Sequence, residues 1–342
     1  MRKLYILIFA LPFLIFYGCN TDNSVTSPEF SVSKGAYILS EGTTAPGTSK
    51  LSYYNSFSGS FTQNIFNPGT LGLFPDGLIK YGGSLFVTEQ GNYNSAGKIY
   101  KLDTNGKVIQ QMSVGKNPYS LCAANNKIYI TNGPAGNVSV VDVNTLGTLK
   151  EITVGVYPQE LISHNNFVYV CNTGIFGGYQ DSTVSVIDAN SDAVIKTLIV
   201  SKDPSSFIVT NDNRLFVGCP GANGKLFVFD LANYNLLYSK IFFNGFSKDM
   251  VFDSKSNVIY FVAINGDIIK LNPTTYNEEK LVSAPSSGYV YGYAFDSGNS
   301  LHYIADARNF IVTGLVYVCN GQGVPIDTLS TGIAPRRILI NK

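Results

Sequence analysis

A seven-bladed β-propeller built from four-stranded blades is the all-β fold this sequence predicts, on three observations. Three residue columns recur along the chain with one period of about 43 residues. Between them lie short runs that alternate apolar and polar residues, as half-buried strands do. The chain also finishes on a segment, TGIAPRRILINK, that elsewhere opens a repeat.

The first column is an Asp or Asn closing a strand: Asn55, Asp103, Asp142, Asp188, Asp230, Asn272 and Asn320, spaced 39 to 48 residues apart. The second ends the preceding strand, at Glu41, Glu89, Asn132, Asn172, Cys219, Ala263 and Asp306. The third is proline or a substitute at the head of an apolar strand: Pro75, Pro118, Pro158, Pro204, Ser247, a position near Tyr291, and Pro335. Each unit then reads as strands A to D; in the third they are PYSLCAA, KIYITN, VSVVDV and LKEITV. Turns such as DTNGK join C to D, where Asx side chains and glycine favour reversal. Units of about 40–50 residues with four strands are propeller blades. The first strand after residue 34, GAYILSEG, is a B strand, so the first blade lacks its A strand. Pro335–Asn341 is expected to supply it and close the ring, because an open final edge would expose unpaired N–H and C=O groups.

The N-terminus reads differently. After MRK, the apolar run Leu4–Phe16 is interrupted by Pro12 and is short for a bilayer span, so residues 1–18 are expected to be a lipoprotein signal peptide. Gly18-Cys19 resembles a bacterial lipobox, although Phe16 and Tyr17 depart from its usual residues. Cys19 is therefore expected to be lipidated, a plain secretory signal being the alternative. Residues 19–34 read as a polar tether and residues 35–342 as the propeller.

The 342 residues carry a formal charge of +1 and only 14% charged side chains, which argues against a nucleic-acid partner. A monomeric domain is expected. The two histidines, His164 and His302, sit in separate strands and offer no triad or imidazole metal site. Cys122, Cys171, Cys219 and Cys319 lack metal-binding spacing; buried free thiols and an inter-blade disulfide both remain open.

The D–A and B–C loops share one face, where a ligand is expected to bind. The ends of the B strands place Glu41, Glu89, Asn132, Asn172 and Asp306 there, either as a polar floor or as caps on the B–C loops. Tyr93, Tyr119, Tyr157, Phe176, Tyr179, Phe246 and Tyr289 fall on the same face and read as aromatic walls, with some given to blade packing. Arg308, Arg336 and Arg337 are cations near this face that either grip an anion or pair with Asp76 or Glu160.

YITN, YVCN and the VG-x-x-P pattern resemble the YVTN family of bacterial propellers. A closer resemblance covers Gly35 to Lys342, on GAYILSEG with KLSYYN, YIADARNF, TGLVYV and GQGVPIDTLSTGIAP. It is to the lipid-anchored propellers of Bacteroides-type bacteria grouped as DUF5074, some of which capture cobalamin at the cell surface for a TonB-dependent transporter. The resemblance implies a non-catalytic outer-membrane lipoprotein, on the periplasmic side or the cell surface, that binds a corrinoid and needs no resident cofactor. Alternatives are a protein–protein scaffold and a lactonase-like hydrolase holding a divalent cation on Glu41 or Glu89 with Asn132, Asn172 and Asp306.

Overall fold

The computed structural model describes residues 32–67, 74–174, 180–286 and 288–342. Their strands form seven separate four-stranded antiparallel sheets, six of them in chain order. The seventh is completed by the C-terminal strand Pro335–Asn341, which pairs with Gly35–Ser40 and so becomes the inner strand of blade one. Its register sets Ile340 against Ala36, Leu339 against Tyr37 and Ile338 against Ile38. The ring is closed as expected.

The recurring Asp/Asn column has a single physical cause. Each side chain folds back onto its own C–D turn: Asn55 Oδ1 accepts from Phe57 N–H at 2.9 Å, Asp103 from Asn105 at 2.9 Å and Asp142 from Thr145 at 2.8 Å. Asp188, Asp230, Asn272 and Asn320 make the same contact two residues on. Short polar side chains do this and so favour reversal over strand.

Packing follows the ring. Each pair of neighbouring blades encloses one apolar cluster, giving seven among the described residues. The cluster between blades seven and one joins Tyr303 and Val316 to Ala36 and Ile38, with Ile338 and Ile340 against it. Closure therefore buries apolar surface, the main favourable term in folding, as well as pairing an edge. Cys122, Cys171, Cys219 and Cys319 are all buried free thiols. Among the described residues, no helix is long and apolar enough to cross a membrane.

Ordered packing begins slightly before the expected boundary. Ser33 is buried and donates to Asp296 Oδ2, while Asn299 Nδ2 donates to its carbonyl at 2.9 Å. Lys34 N–H bonds Asn341 O at 2.8 Å. Asp296 ends the inner strand of blade seven, so the chain enters on the face opposite the D–A and B–C loops. The expected signal peptide and Cys19 lie outside the described residues.

Candidate functional site

Phe74, Asn117, Tyr157, Asp203 and Ala334 each stand directly before a proline and each has a positive φ, between 42° and 54°. That region is costly for residues other than glycine, so the entry of the inner strands is a held conformation. A bulge follows at once in six blades. Asp76 and Gly77 together oppose Thr88, Tyr119 and Ser120 oppose Thr131, Gln159 and Glu160 oppose Cys171, and Asp249 and Met250 oppose Phe261. Tyr291 and Arg336 are single extra residues in blades seven and one. Blade seven's inner strand starts at Val290, so Val290 holds the column position expected near Tyr291.

Bulges bend a strand and re-aim its side chains, and here they place charge across the channel. Threonines stitch them blade to blade: Thr88 Oγ1 accepts from Gly77 N–H at 3.0 Å and donates to Tyr119 O at 2.7 Å. Thr131 repeats this with Ser120 N–H and Gln159 O. Arg336 reaches Asp249 at 3.0 Å and Glu160 at 3.3 Å. Arg337 reaches Asp76 and Glu160, both at 2.9 Å. Four blades are thereby tied across the axis. Burial opposes both guanidinium charges, but Asp249 beside Arg336 and Glu160 beside Arg337 keep them protonated. Of the two roles expected for these arginines, the structure supplies pairing. Removing one partner of such a network strands a buried charge and costs about 3–5 kcal/mol. Toward the opposite face lies a cavity of about 350 Å³, lined by Leu78, Ile162, Phe207, Val251 and Ile338 among others.

On the loop side of this belt, Tyr291 Oη donates to Glu41 at 3.0 Å. Tyr289, Tyr291 and Phe310 form a ring cluster, with Phe310 centred 5.4 Å from Tyr289 and 4.9 Å from Tyr291. Lys248 Nζ lies over Tyr291 at 4.3 Å and over Tyr289 at 5.3 Å. Burial, with Asp76's charge next, pushes Glu41 up to about 8, so it holds its proton at neutral pH. A second hollow of about 410 Å³ lies between loops of blades two to four, walled by Tyr93, Pro134, Val156 and Tyr157.

The expected site residues divide accordingly. Tyr93 and Tyr157 share the second hollow, and Glu41 and Tyr289 stand at the mouth. Glu89, Asn132, Asn172 and Asp306 are buried, as Glu41 is, and each is hydrogen-bonded within the protein. Tyr100 Oη donates to Glu89 at 2.6 Å, and Asn132 Nδ2 donates to Asn137 and Ser139, both at 2.8 Å. Asn172 accepts from Gly155 N–H at 3.1 Å, and Asp306 accepts from Tyr289 N–H at 2.8 Å and Arg308 N–H at 2.7 Å. Asp306 caps its own B–C loop, Asn172 holds the preceding D–A loop, and Glu89 and Asn132 bond side chains of the adjoining strand. Among the described residues, no three His, Cys, Asp or Glu stand together as a metal site, and the amides expected in the hydrolase alternative's cage, Asn132 and Asn172, bond Ser139 and Gly155. Phe246, expected on the rim, is fully buried between blades five and six, stacked on Phe242. Arg308 is exposed, at a positive φ of 53°. Phe176 and Tyr179 lie outside the described residues.

Lys248, Asp249, Tyr291 and Phe310 were not expected. Asp249 and Tyr291 carry a sequence signal, because the bulge follows directly on the proline column; Lys248, next to Ser247 of that column, shares it by position.

No protein-family model matches the chain, and no curated protein matches it. Solved structures do. A quinonprotein alcohol dehydrogenase-like protein from Bacteroides thetaiotaomicron aligns with a TM-score of 0.71 at 17% identity, over 91% of this chain and 79% of that one. The periplasmic gluconolactonase of Pseudomonas aeruginosa aligns at 0.67 and 14% identity, over 90% and 99%. Hydrazine synthase from Kuenenia stuttgartiensis aligns at 0.64 and 16% identity, over 76% and 88%. At such identities the likeness is one of fold: the chain is a seven-bladed β-propeller of the shape gluconolactonases also use.

Proposed function

We propose that this chain is a non-catalytic, lipid-anchored protein that captures a small, partly flat ligand on its loop face. A cobalamin-like corrinoid is the favoured ligand and a TonB-dependent outer-membrane transporter the favoured partner. The observation that carries the reading is the loop-side mouth, where an ion-pair belt crosses the channel and Tyr289, Tyr291 and Phe310 stand above it. Such a surface suits a broad ligand lying across the opening better than a slender one threading it. The resemblance to lipid-anchored propellers supplies the corrinoid and the transporter.

Calorimetric titration of the full-length protein in detergent with cyanocobalamin is the test. A saturable one-site heat at micromolar protein supports the reading, and no heat at that concentration contradicts it. A protein–protein scaffold is the second reading, favoured by Phe243, Ile264 and Ile311, which stand 88%, 51% and 73% exposed in the same set of loops.

A further inference from the structure

Among the described residues, four cations withdrawn from solvent meet a carboxylate. Lys127 meets Asp192 at 2.6 Å, Lys240 meets Glu278 at 2.6 Å, Arg336 meets Asp249 at 3.0 Å and Arg337 meets Asp76 at 2.9 Å. Lys248 is different. It heads the inner strand of blade six and is half-buried, and its Nζ makes no hydrogen bond or ion pair with any described residue. Its ammonium has only the faces of Tyr291 and Tyr289. Cation–π contact offsets only part of the lost hydration, less than a hydrogen-bonded counter-ion provides in a desolvated site. Burial, followed by the neighbouring Arg336 charge, pushes Lys248 down to about 8.

The rings beside it are not sealed off. Tyr289 is 47% exposed and Phe310 40% exposed, so a flat group can reach both. The groups acting on the ammonium are Asp249, Glu41 and Asp76, which favour its charge, and Arg336, which opposes it. Burial disfavours the charged form of Glu41, which accepts from Tyr291, and the carboxylates of Asp76 and Asp249 are already paired with Arg337 and Arg336.

We propose that the counter-ion Lys248 lacks is supplied by a ligand. On this inference the mouth between blades six and seven is a subsite for an anionic oxygen group, carboxylate or phosphate, borne by a flat apolar body. The anion pairs with Lys248 Nζ, and the flat body stacks on Tyr289 and Phe310. The inference rests on the reading that the loop face binds a ligand, and it names the chemical class that this part of the face selects.

The test uses 2-naphthoate, 2-naphthyl phosphate and the neutral 2-naphthamide as probes of the full-length protein in detergent, followed by calorimetry. Wild type is expected to bind at least one anionic probe about tenfold or more tighter than the amide. Lys248→Met is expected to abolish that preference, while Lys248→Arg retains it. The preference is also expected to shrink between pH 7 and pH 9, as the amine loses its proton. Whichever anion is preferred tells carboxylate from phosphate. Equal binding of anion and amide, an anion preference that survives in Lys248→Met, or no binding of any probe overturns the inference. Thermal melts of both variants guard against misfolding, and Lys248→Met is expected to melt no lower than wild type. Naphthoate binding without any cyanocobalamin heat would sink the corrinoid reading and leave this subsite standing.

Discussion

At Glu41 the surroundings reset a common side chain. Burial and then Asp76's charge raise its pKa from 4.5 to about 8, while Arg336 and the Tyr291 hydroxyl pull only partly the other way. The linkage has a definite sign: a carboxyl whose folded pKa is raised supports the fold fully below its unfolded value, and that support is lost as pH rises toward 8. Glu41→Gln keeps an acceptor for Tyr291 but cannot ionise. Its stability relative to wild type is therefore expected to rise between pH 5 and pH 8, by on the order of a few kcal/mol. Urea melts of both proteins across that range check this, and a difference that does not change with pH contradicts it. Other residue-scale features were plain in the sequence. The Asp/Asn column is a turn column because Asx side chains bond locally, and each of the seven does so. Whether Asn172 caps a loop or faces a ligand is not legible in that way, since it depends on Gly155 of the preceding D–A loop.

At the scale of the element, the inner-strand bulge does most to shape the mouth. Alternation of apolar and polar residues marks a strand but not an extra residue within it, because a bulge shifts the phase without changing the composition. This is why Tyr291 went unmarked, whereas Phe246 is turned into the core by the loop ahead of its strand, where it bridges Gly221. Gly77 shows how tight the bulge is. A Cβ there would lie 2.3 Å from Leu121 Cδ2, 2.5 Å from Thr88 Oγ1 and 2.8 Å from Tyr119 O. Gly77→Ala must displace the backbone of the next blade, so it is expected to destabilise by about 1–3 kcal/mol and to loosen the Asp76–Arg337 pair. Gly147→Ala meets only Thr145 Oγ1, at 3.4 Å, and serves as the control that stays near wild type. Parallel denaturant melts decide, and equal loss in both variants would argue against the bulge being held this closely.

The whole molecule was the most legible level. Seven units with one period imply a closed array, and a first unit lacking its inner strand implies closure by the last segment; both are present. Closure also explains why cores sit between blades, since neither face of a single sheet has anything else to cover it. What the period does not carry is the identity of the working face's ligand. The loops that differ from blade to blade hold Tyr93, Tyr157, Tyr289 and Phe310, and variation is what places them outside any repeat pattern. The central claim is that this loop face is where the ligand sits. Amide hydrogen exchange of the full-length protein with and without cyanocobalamin tests it most directly. Slowed exchange in the loops around Tyr93, Tyr157, Lys248, Tyr289 and Phe310, with the turns at Asp103, Asp188 and Asp230 unchanged, is the result expected. Protection confined to those opposite turns or to the outer strands, or no protection anywhere, would contradict it.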